Sequence, residues 1–269
     1  MEQLKNLREQ LRQCDVTILD GLLRRNEIVE EIMAYKEKNH MRILQPEQEA
    51  RQNAWLKEVL SGNRHQKEIM SVFHSINKNS KRIQARKLFS YNIVLIGFMG
   101  SGKTTISEYL STLFAMDVVE MDQLISQREA MSIADIFEVY GEEYFRELET
   151  KLLIEMQERS NVVISCGGGV PLRERNVKEM KKNGRVVLLT ASPETIFERV
   201  KDNHDRPLIE QNKNVEFIME LMEKRRKKYE AAADIIICTD GKNQLDICEE
   251  LVTKLLEFEQ EKEATQDRK

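Results

Sequence analysis

Asn92-Ile-Val-Leu-Ile-Gly97-Phe-Met-Gly100-Ser101-Gly102-Lys103-Thr104-Thr105 passes from an apolar strand through a glycine-rich turn into an amphipathic stretch, Ile106 to Phe114. Gly97 to Thr104 fits G-x-x-x-x-G-K-[ST]. A strand before it and a helix after it are the context in which that pattern binds phosphate. The glycines let backbone N–H groups converge on phosphate oxygens, and the helix N-terminus adds positive potential. In such a loop the Lys103 ammonium reaches the β- and γ-phosphates and the Thr104 hydroxyl holds Mg²⁺.

Downstream the pattern alternates. Asp117 to Asp122 reads as a second strand ending in a carboxylate, and Ser132-Ile-Ala-Asp135 as a capping box that opens a helix through Val139. A helix spans 141–159, a third strand Val162 to Cys166, and a helix from about Leu172 ends at Gly184. Arg185 to Thr190 is a fourth strand. Ser192-Pro193 caps the next helix, Asp234 to Cys238 is a fifth strand, and Gln244 to Glu263 is the last helix. The expectation is a doubly wound five-stranded parallel sheet over 91–262, with ligands at the carboxyl ends of the strands. The loop at Gly97, Asp122 and Gly167-Gly168-Gly169 all fall there. Asp202 to Leu208 is polar and joins two helices, as a lid would, and Arg206 within it is a candidate phosphate clamp.

Taken together, Gly97–Thr105, Glu120-Met-Asp122, Ser132–Phe137, Gly141-Glu-Glu-Tyr-Phe-Arg146, Gly167–Gly169, Arg206-Pro-Leu and Arg225 before Tyr229 closely resemble shikimate kinase. The resemblance implies transfer of the ATP γ-phosphate to the 3-hydroxyl of shikimate. It implies ATP contacts from Gly97, Gly100, Ser101, Gly102, Lys103, Thr104, Thr105, Arg199 and Arg206. Asp122 would orient the accepting hydroxyl, and Arg146 and Arg225 would grip the shikimate carboxylate, with Glu149 positioning Arg146. The Gly167, Gly168 and Gly169 backbone would approach the ring. Glu120 stands where the family has the first aspartate of Asp-x-Asp and would act on Mg²⁺ through water. By charge and fold, a nucleotide or a gluconate-type sugar acid also suits this pocket; the triple glycine with Arg146 and Arg225 favours shikimate.

The segment ahead of the loop is different. From Leu4 to Lys38 there is no proline, and Leu4, Leu11, Ile18 and Ile32, with Leu7, Cys14 and Ile28, keep helical spacing. A helix of this length asks for a partner, most simply a second copy. Arg25 falls on the apolar row, where it either snorkels to water or a glutamate or meets a buried anion. Pro46 starts a second helix to about Leu60, and a third runs from about Arg64 to Lys87. Leu4-Lys-Asn-Leu-Arg8, Leu22-Leu-Arg-Arg25-Asn-Glu and Ala34-Tyr-Lys36 resemble the all-helical chorismate mutases over about 3–88, a three-helix family that dimerises through its first helix and converts chorismate to prephenate without a cofactor. Carried over, Arg8 would reach into the partner's site and bind a carboxylate, Arg25 would bind a carboxylate too, and Lys36 and Gln84 would contact the ether oxygen. Glu49 would hold the ring hydroxyl and Ser80 would support binding. Gln45 and Gln48 stand where the family commonly has Asp and Arg, so a cation is missing, with Arg51 one turn on.

The whole-chain expectation is an all-α helical module over 1–88, an α/β P-loop kinase domain over 91–262 and a disordered tail over 263–269. The two resemblances imply a bifunctional enzyme of aromatic amino-acid biosynthesis; the alternative is a kinase whose helical module serves only dimerisation or regulation. Net charge is −4, divided as +5 over residues 1–90 (17 Lys/Arg, 12 Asp/Glu) and −9 beyond (25 and 34). The basic half interleaves its cations with acids, which argues against nucleic acid. No apolar run suits a membrane span, and the N-terminus has no signal-peptide core. Cys14, Cys166, Cys238 and Cys248 form no C-x-x-C pair and, each lying in an apolar pattern, read as buried free thiols in a reducing cytoplasm.

Overall fold

The computed structural model of the chain describes residues 1–39, 41–201 and 214–266. It divides into two compact units, Met1–Lys87 and Leu88–Lys269.

The first unit is three helices: α1 (Glu2–Lys38), α2 (Pro46–Val59) and α3 (Gln66–Leu88). Pro46 occupies the first turn of α2, where its missing N–H costs nothing. At 1.5 Å per residue α1 is about 55 Å long, against about 21 Å for α2 and 35 Å for α3. Only its C-terminal half is covered: Val29 and Met33 are buried, while Leu4, Leu11 and Ile18 are more than half exposed. At 100° per residue, these five fall within a sector of about 60°. One face is therefore packed at one end and bare at the other. The seven-residue row of the sequence drifts about 20° per repeat on a straight helix, which carries Ile32 about 80° from Leu4. Ile28 and Ile32 are exposed accordingly, and the inward residues beside Arg25 are Val29 and Met33 rather than the expected Ile28 and Ile32.

The second unit holds a five-stranded sheet in the order β2-β3-β1-β4-β5. The strands are β1 (Asn92–Ile96), β2 (Asp117–Glu120), β3 (Val162–Ser165), β4 (Gly184–Thr190) and β5 (Ile235–Cys238), and every pairing is parallel. β1 lies in the middle and is buried at all five positions, as its unbroken apolar run requires. The helices between are α4 (Lys103–Phe114), α5 (Met121–Glu129), α6 (Ile133–Tyr140), α7 (Glu142–Glu155), α8 (Glu174–Lys182), α9 (Pro193–Val200), α10 (Val215–Ala232) and α11 (Gln244–Gln266). Ser132 and Ser192 cap α6 and α9 by accepting the N–H groups of Asp135 and Thr195.

Four expectations are corrected. Cys14 and Cys238 are exposed, and only Cys166 and Cys248 are buried. Asp122 does not end a strand: β2 stops where Glu120 pairs with Ser165, and Asp122 lies in the first turn of α5. Gly184 does not end a helix but opens β4, where a β-carbon would meet the Met180 carbonyl oxygen at 2.4 Å. α11 runs on to Gln266, into the tail expected to lack structure. Among the described residues no helix is long and apolar enough to cross a membrane.

Three residues separate α3 from β1, and two of them, Phe89 and Tyr91, are core side chains of the second unit. The Phe89 ring packs edge-on against Phe114 at 5.3 Å and its carbonyl accepts from Asn161 Nδ2 at 3.0 Å. The Arg185 guanidinium lies 4.5 Å over the Tyr91 ring and pairs with Glu259 on α11. Phe89→Ala is expected to destabilise the second unit by about 3–5 kcal/mol, the usual cost of emptying a phenylalanine site. Denaturant unfolding followed by far-ultraviolet circular dichroism measures it; a loss under 1 kcal/mol would show that the ring contributes no packing.

Candidate active site

Gly97, Gly100 and Gly102 all have positive φ, and the loop they form folds back under α4. A β-carbon at Gly97 would stand 2.4 Å from the Leu189 carbonyl oxygen, so only glycine permits the turn. Lys103 Nζ donates to the carbonyls of Gly97 and Phe98, both at 3.0 Å, which holds the ammonium over the loop. Arg199 donates to the Gly100 carbonyl at 3.0 Å and to Thr239 Oγ1 at 3.1 Å, so this guanidinium braces the outer rim of the loop. Thr104 Oγ1 donates to Glu120 Oε2 at 3.2 Å, and Ser107 Oγ to Glu120 Oε1 at 2.5 Å. A hydroxyl and a carboxylate set together are hard oxygen donors that fit Mg²⁺. Ser107 escaped sequence reasoning; its spacing of three from Thr104 places both on one face of α4 and was the available signal.

Gly167, Gly168 and Gly169 follow β3, and each is in contact with different side chains. A β-carbon at Gly167 would meet Asp122 Oδ1 at 2.4 Å and Glu149 Oε1 at 3.1 Å; at Gly169 it would meet Arg146 Nη1 at 2.2 Å. Gly168 lies under Arg225 and Tyr229, whose hydroxyl donates to the Gly168 carbonyl at 2.7 Å. Arg225 and Tyr229 are four apart on α10 and so share a face. Arg146 pairs with Glu149 at 3.0 Å and with Glu142 at 2.6 Å. Glu149 is fully buried, and its Oε1 has no hydrogen-bond partner among the described residues. Burial pushes its carboxyl up to about 7, with Arg146 opposing and Asp122 adding to the rise. A buried amide fixes the turn from behind: Asn176 donates to the Val170 carbonyl at 3.0 Å and accepts from Thr150 at 2.7 Å.

One cleft is lined by Lys103, Glu120, Asp122, Arg146, Gly167–Gly169 and Arg225, with Thr104, Thr105 and Arg199 at its nucleotide end. Every expected residue of this site among those described is brought together; Arg206 and the lid Asp202–Leu208 lie outside the described residues.

In the helical unit, Arg25 donates to Asn77 Oδ1 at 2.8 Å and, by a short contact, to Ser80 Oγ. Both acceptors are neutral, no carboxylate among the described residues pairs with it, and burial lowers its pKa from the ordinary value. Glu49 is paired with Lys81 at 2.7 Å, and Lys36 donates to the Ile43 carbonyl at 3.0 Å. Gln84 is half-buried one turn beyond Ser80. Arg8 is exposed and, seventeen residues from Arg25, stands about 26 Å along α1 from it; this chain does not bring it to the others. Asn77 and Lys81 were missed. Their signal was the spacing 77, 80, 81, 84, one polar face on α3.

A model of the shikimate kinase family matches residues 99–258, and one of chorismate mutase type II matches residues 7–85. The shikimate kinase of Persephonella marina is 42% identical over 164 residues, covering 61% of this chain and 98% of that protein. The Sulfurihydrogenibium enzyme is 44% identical over 164 residues, covering 61% and 97%. Among solved structures, shikimate kinase from Acinetobacter baumannii in complex with shikimate superposes with a TM-score of 0.56 at 30% identity, over 64% of this chain and 94% of that one. The Aquifex aeolicus enzyme gives 0.53 at 37%, over 61% and 95%. These likenesses cover the unit whose cleft has just been described, and the second family model covers the three helices ahead of it. The chain belongs to the shikimate kinase family, with a chorismate mutase type II domain preceding the kinase domain.

Proposed function

We propose that the chain catalyses two reactions of aromatic amino-acid biosynthesis: ATP-dependent phosphorylation of the shikimate 3-hydroxyl in the second unit and chorismate-to-prephenate rearrangement in the first. The observation that carries the kinase reading is the turn Gly167–Gly169, where Asp122, Glu149 and Arg146 occupy the space of absent side chains. Arg146 and Arg225 take the acceptor's carboxylate, and the glycine turn lets its ring lie against backbone. Asp122 accepts the proton of the 3-hydroxyl as that oxygen forms its bond to the γ-phosphorus and the bond to the ADP oxygen breaks. Lys103 leaves the Gly97 and Phe98 carbonyls to follow the transferring phosphoryl group. Thr104, with Glu120 through water, would hold Mg²⁺, which would supply neutralisation of phosphate charge when bound.

In the helical unit the carrying observation is Arg25. A half-buried guanidinium whose acceptors are an amide and a hydroxyl retains its charge for an anion. It binds a chorismate carboxylate there, with Glu49 on the ring hydroxyl and Lys36 and Gln84 on the ether oxygen. Arg8 serves a second copy of the chain, docked along the bare face at Leu4, Leu11 and Ile18. Fixed donors around the breaking C–O bond favour the more polar transition state without a cofactor.

For the kinase, Gly169→Ala is expected to lower kcat/KM for shikimate by about 100-fold, since its β-carbon must displace Arg146, while KM for ATP stays within about twofold. Shikimate-dependent ADP release reads both, and an equal loss for the two substrates would refute the assignment. For the mutase, wild-type protein should consume chorismate and Arg25→Ala should not, with sedimentation giving two chains per particle in both; a monomeric, inactive wild type would end this reading. The raised Glu149 carboxyl makes a thermodynamic prediction as well. Its contribution is fully present below about pH 4.5 and is lost as pH rises to about 7; the loss amounts to about 3 kcal/mol. Glu149→Gln should remove that slope from the stability of the kinase unit measured by denaturant titration across the window, and an unchanged slope would refute it.

A further inference from the structure

The polar face of α3 holds more recognition chemistry than the expected residues use. Asn77 is 7% exposed, and its Nδ2 finds no acceptor among the described residues although its Oδ1 accepts from Arg25. An amide donor left unsatisfied at this depth is destabilising unless a ligand takes it. Lys81, one turn on, reaches across to Glu49 on α2. The N-cap and first turn of α2 run Gln45-Pro46-Glu47-Gln48-Glu49 and contain no cation. Ser80 and Lys81 are consecutive, so the Arg25 contact and the Glu49 contact adjoin on one helix. The Lys81–Glu49 pair is partly open to solvent, with side chains 24% and 38% exposed. A pair of that kind holds its partners weakly, so a ligand anion competes readily for the ammonium.

We propose that Lys81 and Asn77 belong to the ligand-binding surface of the helical unit, with Lys81 supplying the cation for the second carboxylate of a dicarboxylate whose first is held by Arg25. Asn77 Nδ2 donates beside Arg25. The assignment rests on the chorismate mutase reading and deepens it: the positive charge that α2 lacks at Gln48 enters from α3. Two carboxylates are then told from one by a residue outside the segments of sequence that carry the resemblance.

The test uses the full chain and its variants Lys81→Met, Lys81→Arg and Asn77→Leu, with circular dichroism and shikimate-dependent ADP release as controls for folding. Prephenate and phenylpyruvate, which lacks the ring carboxylate, are the calorimetric probes, alongside chorismate turnover. Wild type should bind prephenate more tightly than phenylpyruvate. Lys81→Met should weaken prephenate by about 10- to 100-fold and leave phenylpyruvate nearly unchanged, and Lys81→Arg should recover most of the loss. Asn77→Leu should weaken both ligands. Wild-type turnover with prephenate affinity untouched in Lys81→Met overturns the Lys81 assignment and leaves the mutase reading standing. A wild type that neither turns over chorismate nor binds prephenate overturns both.

Discussion

At Gly167 the volume of a missing side chain is filled by carboxylate oxygens of Asp122 and Glu149, and at Gly169 by the guanidinium of Arg146. This part of the cleft depends on that substitution of charged groups for carbon. β3 delivers the turn to the carboxyl edge of the sheet, α5 delivers Asp122 and α7 delivers Arg146 and Glu149. None of these elements alone makes a site. They meet because the backbone between them has no β-carbons to hold them apart, and the buried Thr150–Asn176–Val170 hydrogen bonds keep that backbone in register with α7.

The two units solve the problem of a buried cation differently. Arg146 sits between two glutamates, one of them fully enclosed, so its charge is balanced before any ligand arrives. Glu149 itself leans to the neutral form at this depth, which makes its hold on Arg146 mild. Among the described residues Arg25 is answered by an amide and a hydroxyl, so its half-buried charge is held at a cost in stability.

Much of this was legible in the sequence where the local pattern is strong. The glycine spacing of the phosphate loop, the five apolar runs and the serine caps depend on neighbours within a few residues, and they lie where expected. The failures share a cause, which is that the deciding partner is distant in sequence. Asp122 was placed on a strand because nothing local says that pairing with β3 ends at Glu120. Gly184 resembled a helix terminator, but its lack of a side chain serves contact with the Met180 carbonyl and Val94. The apolar row of α1 was read in sevens, and a straight helix turns away from such a row. Asn77 and Lys81 passed unnoticed because an inward polar residue on one helix means little until the facing helices are known.

The junction between the units has a consequence for how the chain is made. A ribosome releases the helical segment first, yet the residues that follow α3 are not its own: Phe89 needs Phe114 and Tyr91 needs Arg185 and, through it, Glu259 near the end of the chain. Phe89 and Tyr91 thus have no settled surroundings until the sheet is assembled and α11 has been synthesised. Whatever the helical segment gains by early folding, the residues that follow it wait for elements made later.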